Sequence, residues 1–488
     1  MNKAHDHLTR LEEIARREML AREFFPDFSD EAKEELAHLR APAKTDGSDA
    51  RDLRDLLWCS IDNDDSLDLD QLTAAEDLPD GKTRIRVAIA DVDALVDRGT
   101  YIDAHALHNT TSIYTAARVF PMLPDKLSTN LTSLNPDADR VSVVVEMVIN
   151  ADGSLEEGTV YRALVRNFAK LAYDSVAVWL DGNADVPDAV KEVRGLAESL
   201  LLQDQTANTM MLLRHEHGAL TLETIEVKPV FDEKTIQSLE RQKKNRARSI
   251  IEEFMIAANT VTANFLTNHG YPSVRRVVRE PDRWDRIVEV VREYGGNLPG
   301  HPDAVALQEF LAREKQEHPQ TFPDVSLTII KLIGSGEYTA EEPGHEAPGH
   351  FGLAASDYTH STAPNRRYPD LIIQRQLKAA LENWEPAYSF ELLRGLSHHL
   401  TDKEDDAQKV ERTVGKAAAA LMLSDRIGET YGGIITGASD KGTWVRVLSV
   451  PVEGKIVRGA GGLDVGQRVR VKLVSVDVDR GYIDFQVI

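Results

Sequence analysis

The sequence predicts an α+β multidomain protein with three parts. A short N-terminal helical domain (1–50) precedes a large mixed α/β domain (51–428), and an OB-type β-barrel (429–488) forms the last part. Three observations carry this. Apolar side chains recur at helical spacing in the first fifty residues. Strand-like and helix-like stretches then alternate for nearly four hundred residues. From Thr430 onward the chain breaks into about five short β-rich runs separated by Gly-rich turns, with no long helix, which is the pattern of a small barrel. A length of 488 residues fits roughly three domains of about 150 residues each.

Taken in order, Leu8, Leu11, Ile14 and Ala15 mark a first helix. FFPDFSD supplies a break at Pro26 and an N-cap at Ser29 for a second helix over Asp30 to Leu39. Ala41 to Asp49 reads as a linker. Such a unit is either a cap on the next domain or a helix-turn-helix that touches nucleic acid. Leu56 to Cys59 is a buried strand, and Thr83 to Val96 is a strand with Ile85, Val87 and Ile89 alternating. Arg140 to Ile149 is another, ended by the turn Asn150 to Gly153. Asn245 to Asn268 is the longest regular helix, with Ile250, Ile251, Phe254, Ala257, Ala258 and Val261 on one face.

With 42% hydrophobic and 28% charged residues, wholesale disorder is excluded. Lys and Arg number 57 against 80 Asp and Glu, a net charge of −23. That argues against a broad nucleic-acid surface and leaves room for a local basic groove. The single cysteine, Cys59, excludes an intramolecular disulfide and a Cys-rich zinc site. The charged N-terminus has no signal-peptide core. The longest apolar run, Ala417 to Leu423, is too short to cross a membrane, so the expectation is a soluble, monomeric, cytoplasmic protein.

Chemistry concentrates in SIDNDDSLDLDQL, Ser60 to Leu72, where Asp62, Asp64, Asp65, Asp68 and Asp70 fall within nine positions. An EF-hand loop starting at Asp62 would need Gly and Glu where Leu67 and Thr73 stand, which excludes it. Two readings stay open: a solvated acidic loop, or a Mg²⁺ or Mn²⁺ site of the kind that acts on phosphodiesters. A second constellation, Asp357 to Leu377, carries Arg366, Arg367 and Arg375 with Tyr358, His360 and Tyr368 near a helix start. It suits either phosphate or internal ion pairs. A third, RQKKNRAR from Arg241 to Arg248, either lines a nucleic-acid channel or is a solvated face.

Together these segments resemble the ribonuclease II family, the RNB-domain exoribonucleases. That family has Ile-Asp followed six, eight and nine positions later by aspartates. Asp62, Asp68 and Asp70 fit, and Gln71 stands in the last place. Its Arg-Arg-Tyr-x-Asp-Leu signature appears at Arg366 to Leu371 and its His-Phe-Gly-Leu at His350 to Leu353. Leu-Pro-x-x-Leu-Ser appears at Leu123 to Ser128, Glu-Glu-x-Met-Ile-Ala-Ala-Asn at Glu252 to Asn259, and an Ala-Glu-Arg-like element at Val410 to Arg412. The resemblance implies processive 3′→5′ hydrolysis of single-stranded RNA to 5′-nucleoside monophosphates with Mg²⁺, Mn²⁺ being an alternative. It implies that Asp62, Asp68 and Asp70 hold metal, with Asp68, Asp70 and Arg366 at the scissile phosphate. Tyr114 is implied as an aromatic clamp, Tyr173 beside the 3′-terminal base, and Glu411 near the last nucleotide. Leu222 stands where an opposing aromatic is expected. In the barrel, Trp444 with Lys441, Arg446, Lys455 and Arg458 reads as an RNA-binding face. The alternative is a catalytically weak or inactive RNA-binding protein, which Gln71 would favour.

Overall fold

The computed structural model describes residues 6–488 apart from 46–49, 225, 243, 346–347, 440–441 and 464, so Lys441 lies outside the described residues. At its centre is a sheet ordered Arg51–Asp52, Leu155–Ala172, Trp58–Asp62, Gln71–Asp77, Thr83–Ala90, Asp139–Ile149. The 18-residue strand Leu155–Ala172 runs antiparallel to Asp139–Ile149 over its first part and parallel to Trp58–Asp62 over its last, so the sheet closes on itself. β-Branched residues explain the choice of strand. Ile85, Val87 and Ile89 face Val143, Val145 and Met147 and pack against Phe254, Ala258 and Val261 of the helix Arg246–Asn268. The strand begun at Thr83 stops at Ala90, earlier than its apolar run predicts. The next residue, buried Asp91, pairs with Arg162 (3.2 Å) and Lys378 (3.1 Å), and the chain turns there.

The 34-residue helix Phe390–Leu423, about 51 Å long at 1.5 Å per residue, runs from the central region to the barrel. The barrel is closed in the order Thr430–Ser439, Gly442–Val447, Glu453–Arg458, Tyr482–Val487, Arg468–Asp477, with Val445, Val471, Leu473 and Phe485 fully buried inside it. The first helix, His7–Ala21, is capped by Asp6. It buries Leu11, Ile14 and Met19 in one cluster with the long helix and the barrel, and Arg10 reaches Asp479 of a barrel turn at 2.6 Å. The second, Asp30–His38, is capped by Ser29 and joins the central cluster through Ala32. The two N-terminal helices therefore bury their apolar faces in different cores.

Trp284–Glu293, Ala304–Glu317 and Phe322–Ile333 form a satellite helical core around Trp284, Phe310 and Phe322. Among the described residues no helix is long and apolar enough to cross a membrane.

Candidate active site

The acidic loop leaves the sheet at Asp62 and re-enters it at Gln71. Its return is fixed by backbone and hydroxyl contacts rather than by its charges. The Leu69 N–H donates to Ser133 Oγ (3.0 Å), the Leu134 N–H to the Leu69 carbonyl (3.0 Å) and the Ala90 N–H to the Asp70 carbonyl (2.9 Å). Interleaved Leu69 is buried and anchors the loop, while Leu67 is exposed. Opposite lies the turn before the helix Tyr368–Leu381. Its backbone is stitched to Thr110–Ser112, with the Ser112 N–H donating to the Arg366 carbonyl (2.9 Å) and the Tyr368 N–H to the Thr110 carbonyl (2.7 Å). The turn also grips the acidic loop directly, because the Asn365 N–H donates to Asp70 Oδ1 at 2.9 Å.

These contacts bring Asp62, Asp68, Asp70, Tyr114 and Arg366 together. Arg366 Nε lies 3.3 Å from Asp70 Oδ2, within ion-pair range but out of line for a hydrogen bond. The Tyr114 hydroxyl donates to Asp68 Oδ2 at 3.0 Å, and the Tyr114 N–H donates to Glu411 Oε1 at 2.8 Å. Glu411 on the long helix thus sets the position of Tyr114. Burial pushes the Asp70 carboxyl up to about 7; Arg366 opposes the shift and Asp68 adds to it. Burial likewise pushes Asp62 up to about 6, with Arg366 and the Gln71 carboxamide opposing and Asp68 reinforcing. Burial works against the Arg366 charge, yet Tyr114, Asp70, Asp68 and Asp62 together hold its pKa above the ordinary value. Glu411 is raised by burial, and the Tyr114 N–H opposes this.

Asp62 Oδ2 and Asp70 Oδ2 are buried with no hydrogen-bond partner. Among the described residues, no three His, Cys, Asp or Glu side chains converge closely enough to hold an ion alone. Mg²⁺ needs only one or two protein carboxylates beside water and phosphate oxygens. Two orphaned, hard carboxylate oxygens with raised proton affinity fit such an ion.

Tyr173 starts a helix at the end of the long strand. The Arg248 guanidinium lies over its ring at 4.4 Å, and Asp62 acts on its hydroxyl electrostatically. Sequence reasoning missed Arg248 as an individual residue; it sat inside a basic run with no spacing that singled it out. It also missed the backbone of Asn365, which no side-chain pattern encodes. Trp444 stands apart on the barrel, half-buried, with Lys455 Nζ 5.9 Å from its ring.

Two expectations are corrected. Arg446 is no exposed RNA contact. It is buried and bonded through both terminal nitrogens to Asp324 of the satellite core, one contact measuring 2.8 Å, because the barrel docks there. Arg375 faces no substrate: Asp93 (2.8 Å), Asp103 (2.9 Å) and Tyr388 (2.7 Å) enclose it. Leu222, which stands in the place expected for an opposing aromatic, packs on the satellite core.

Comparison with known proteins agrees with this geometry. Residues 50–383 match the RNB domain, and residues 429–488 match the RNase II-type exonuclease C-terminal S1 domain. Ribonuclease R of Vibrio parahaemolyticus is 29% identical over 479 residues, covering 90% of this chain and 56% of the relative. Ribonuclease R of Escherichia coli is 30% identical over 478 residues, covering 90% and 57%. The chain therefore spans about half the length of the curated relatives it matches. Mycoplasma genitalium RNase R in complex with ribose-methylated single-stranded RNA superposes with a TM-score of 0.87 at 24% identity, covering 99% of this chain and 78% of that one. Yeast Ssd1, a pseudonuclease, superposes with a TM-score of 0.73 at 15% identity, covering 91% and 55%, so the fold alone does not decide activity. With the RNB match spanning most of its length, the chain belongs to the RNB-domain family.

Proposed function

We propose that this protein is a hydrolytic 3′→5′ exoribonuclease that degrades single-stranded RNA to 5′-nucleoside monophosphates. One observation carries the reading: Asp62, Asp68 and Asp70 gather around one arginine, with two of their oxygens buried and unbonded and with Tyr114 at their side. Asp62 and Asp70 through their unbonded oxygens, with Asp68 beside them, would hold Mg²⁺ or Mn²⁺ alongside water and phosphate oxygens; a bound ion of this kind supplies a water of lowered pKa and neutralises charge on the phosphate. Arg366, half-exposed at the mouth of the cluster, would turn from Asp70 to the scissile phosphate. The Asn365 N–H keeps Asp70 oriented while that happens. Tyr114 and Tyr173 would stack the last bases, and Glu411 would fix the Tyr114 backbone. In this reading residues 1–50 act as a helical cap, 51–428 as the catalytic domain and 429–488 as an RNA-binding barrel that contributes Trp444.

The test is a digest of 5′-labelled single-stranded RNA with Mg²⁺, with Mn²⁺ and with EDTA. The expected result is a ladder shortening from the 3′ end with either ion and intact RNA in EDTA. RNA that is bound but never shortened would replace the enzyme with an inactive RNA-binding protein, the reading that Gln71 in place of a fourth carboxylate supports.

A further inference from the structure

The basic segment Arg241–Arg248 leads into the cleft, and its described cations have different fates. Lys244 is held by Glu252 (2.6 Å), and Arg246 by Asp204 (2.6 Å). Arg241, on the hairpin strand Thr235–Gln242, lies toward Asp324 at the barrel junction. Arg248 differs. Among the described residues it has no carboxylate within ion-pair distance. Its Nη2 donates to the neutral Asn63 side chain at 2.7 Å, and its guanidinium lies over the Tyr173 ring at 4.4 Å. Its backbone is fixed as well, because its own N–H is capped by Asn245 Oδ1 at 3.0 Å in the first turn of the helix Arg246–Asn268. Asn63 is the residue after Asp62. One side chain therefore ties together a helix start, the acidic loop and the tyrosine beside the carboxylates.

We propose that Arg248 is a positioning residue for the 3′-terminal nucleotide. It backs one face of Tyr173, leaving the other face for the last base, and it holds Asn63 so that the acidic loop keeps its distance from that base. Its uncompensated charge attracts the terminal nucleotide, and a cation on one face of an aromatic ring restrains the ring's tilt. This rests on the reading that Tyr173 receives the 3′-terminal base.

The test uses RNA carrying 2-aminopurine at its 3′ end, bound in EDTA so that no cleavage occurs. Wild type, Arg248→Met, Arg248→Lys, Tyr173→Leu and the Arg248→Met/Tyr173→Leu pair are compared, with thermal melts confirming that each is folded. Stacking quenches or shifts the 2-aminopurine fluorescence. Arg248→Met is expected to weaken binding of the 3′-labelled RNA about 3- to 30-fold, the span of a cation–π contact from half-exposed to desolvated. Arg248→Lys recovers part of this. With Mg²⁺ restored, KM rises more than kcat falls. The double variant loses little beyond Tyr173→Leu, because the two residues act as one unit. Unchanged quenching in Arg248→Met, or additive losses in the double variant, overturns the proposal while leaving the exonuclease reading intact. If wild type shows no 3′-end quenching, the placement of the terminal base on Tyr173 fails and the role of Arg248 falls with it. Should Arg248→Met not fold, Arg248→Lys, Tyr173→Leu and the Arg248→Lys/Tyr173→Leu pair decide by the same criterion of additivity.

Discussion

Two arginines nine residues apart on one segment meet opposite electrostatic fates. Arg375 is almost fully buried and answers every donor. Asp93 and Asp103 take its charge, Tyr388 and Tyr368 accept from Nη1, and the Val96 carbonyl accepts from Nη2 at 2.8 Å. Lys378 and Arg162 extend that network through Asp91. Arg366 sits amid three carboxylates, keeps nearly half of its side chain exposed, and bonds none of them in line. Around it Asp62 Oδ2 and Asp70 Oδ2 are buried and unpartnered, as is Nδ2 of the neighbouring Asn365. Buried polar groups are normally satisfied. The saturated network therefore reads as architecture and the unsaturated one as a place awaiting a ligand.

The largest effect should come from breaking the saturated network. Arg375→Met leaves Asp103 without its counter-ion and Asp93 with Lys378 alone, at 2.8 Å. A loss of about 3–5 kcal/mol is expected, seen as a lower urea midpoint. A midpoint within error of wild type would mean that water reaches these acids and the distinction fails. On the other side, Asp70→Asn keeps the oxygen that accepts from Asn365 and removes a charge that the fold disfavours, since burial raises that carboxyl to about 7. Turnover should fall about 10²- to 10³-fold, the scale for one preorganised electrostatic group. The urea midpoint should hold or rise. Activity that declines only as the folded fraction declines would make Asp70 another structural acid.

The fold was largely legible from side-chain periodicity. The helix predicted over Asn245 to Asn268 forms at Arg246–Asn268 with Asn245 as its cap, and the β-rich tail closes into a barrel. The acid and arginine constellations were legible as composition, and the cleft does bring Asp62, Asp68, Asp70 and Arg366 together. What could not be read was satisfaction. Arg375 looks like Arg366 in sequence, and Arg446 looks like a free barrel cation, because nothing local encodes Asp103 or Asp324 arriving from hundreds of residues or a domain away. Likewise the N-cap at Ser29 was readable, whereas the division of the two N-terminal helices between separate cores depends on tertiary packing.

Arg446 offers an intermediate case, an ion pair that joins two bodies while its Nε stays buried and unpartnered. Arg446→Met strands the half-buried Asp324 carboxylate and should cost about 1–3 kcal/mol. Adding Asp324→Leu should return part of that loss, since the second substitution removes the stranded charge. A double-mutant cycle on urea midpoints measures the coupling. A coupling near zero would show that this pair does not help to hold the barrel in place.

The smallest effect tests how unsatisfied the cleft is. Gln71 is buried at the first position of its strand, and its carboxamide faces Asp62 as a donor, lowering that carboxyl's proton affinity. Gln71→Asp replaces this donor with a fourth acid. Divalent ion binding should tighten, yet only by about tenfold at most, roughly 1.4 kcal/mol. The new charge enters a desolvated cluster in which burial already pushes Asp62 up to about 6 and Asp70 up to about 7, so part of the gain is lost to protonation as the acids repel one another. The sign with pH follows. Above pH 8 the acids are ionised and the variant's advantage is full; toward pH 6 protons compete with the ion and the advantage shrinks. Titrating EDTA-stripped protein with Mn²⁺ and following the free ion by electron paramagnetic resonance at pH 6 and pH 8 gives both affinities. A variant that binds Mn²⁺ no better than wild type at pH 8 would show that Arg366 and the existing carboxylates, rather than the missing acid at position 71, set the affinity of the cleft.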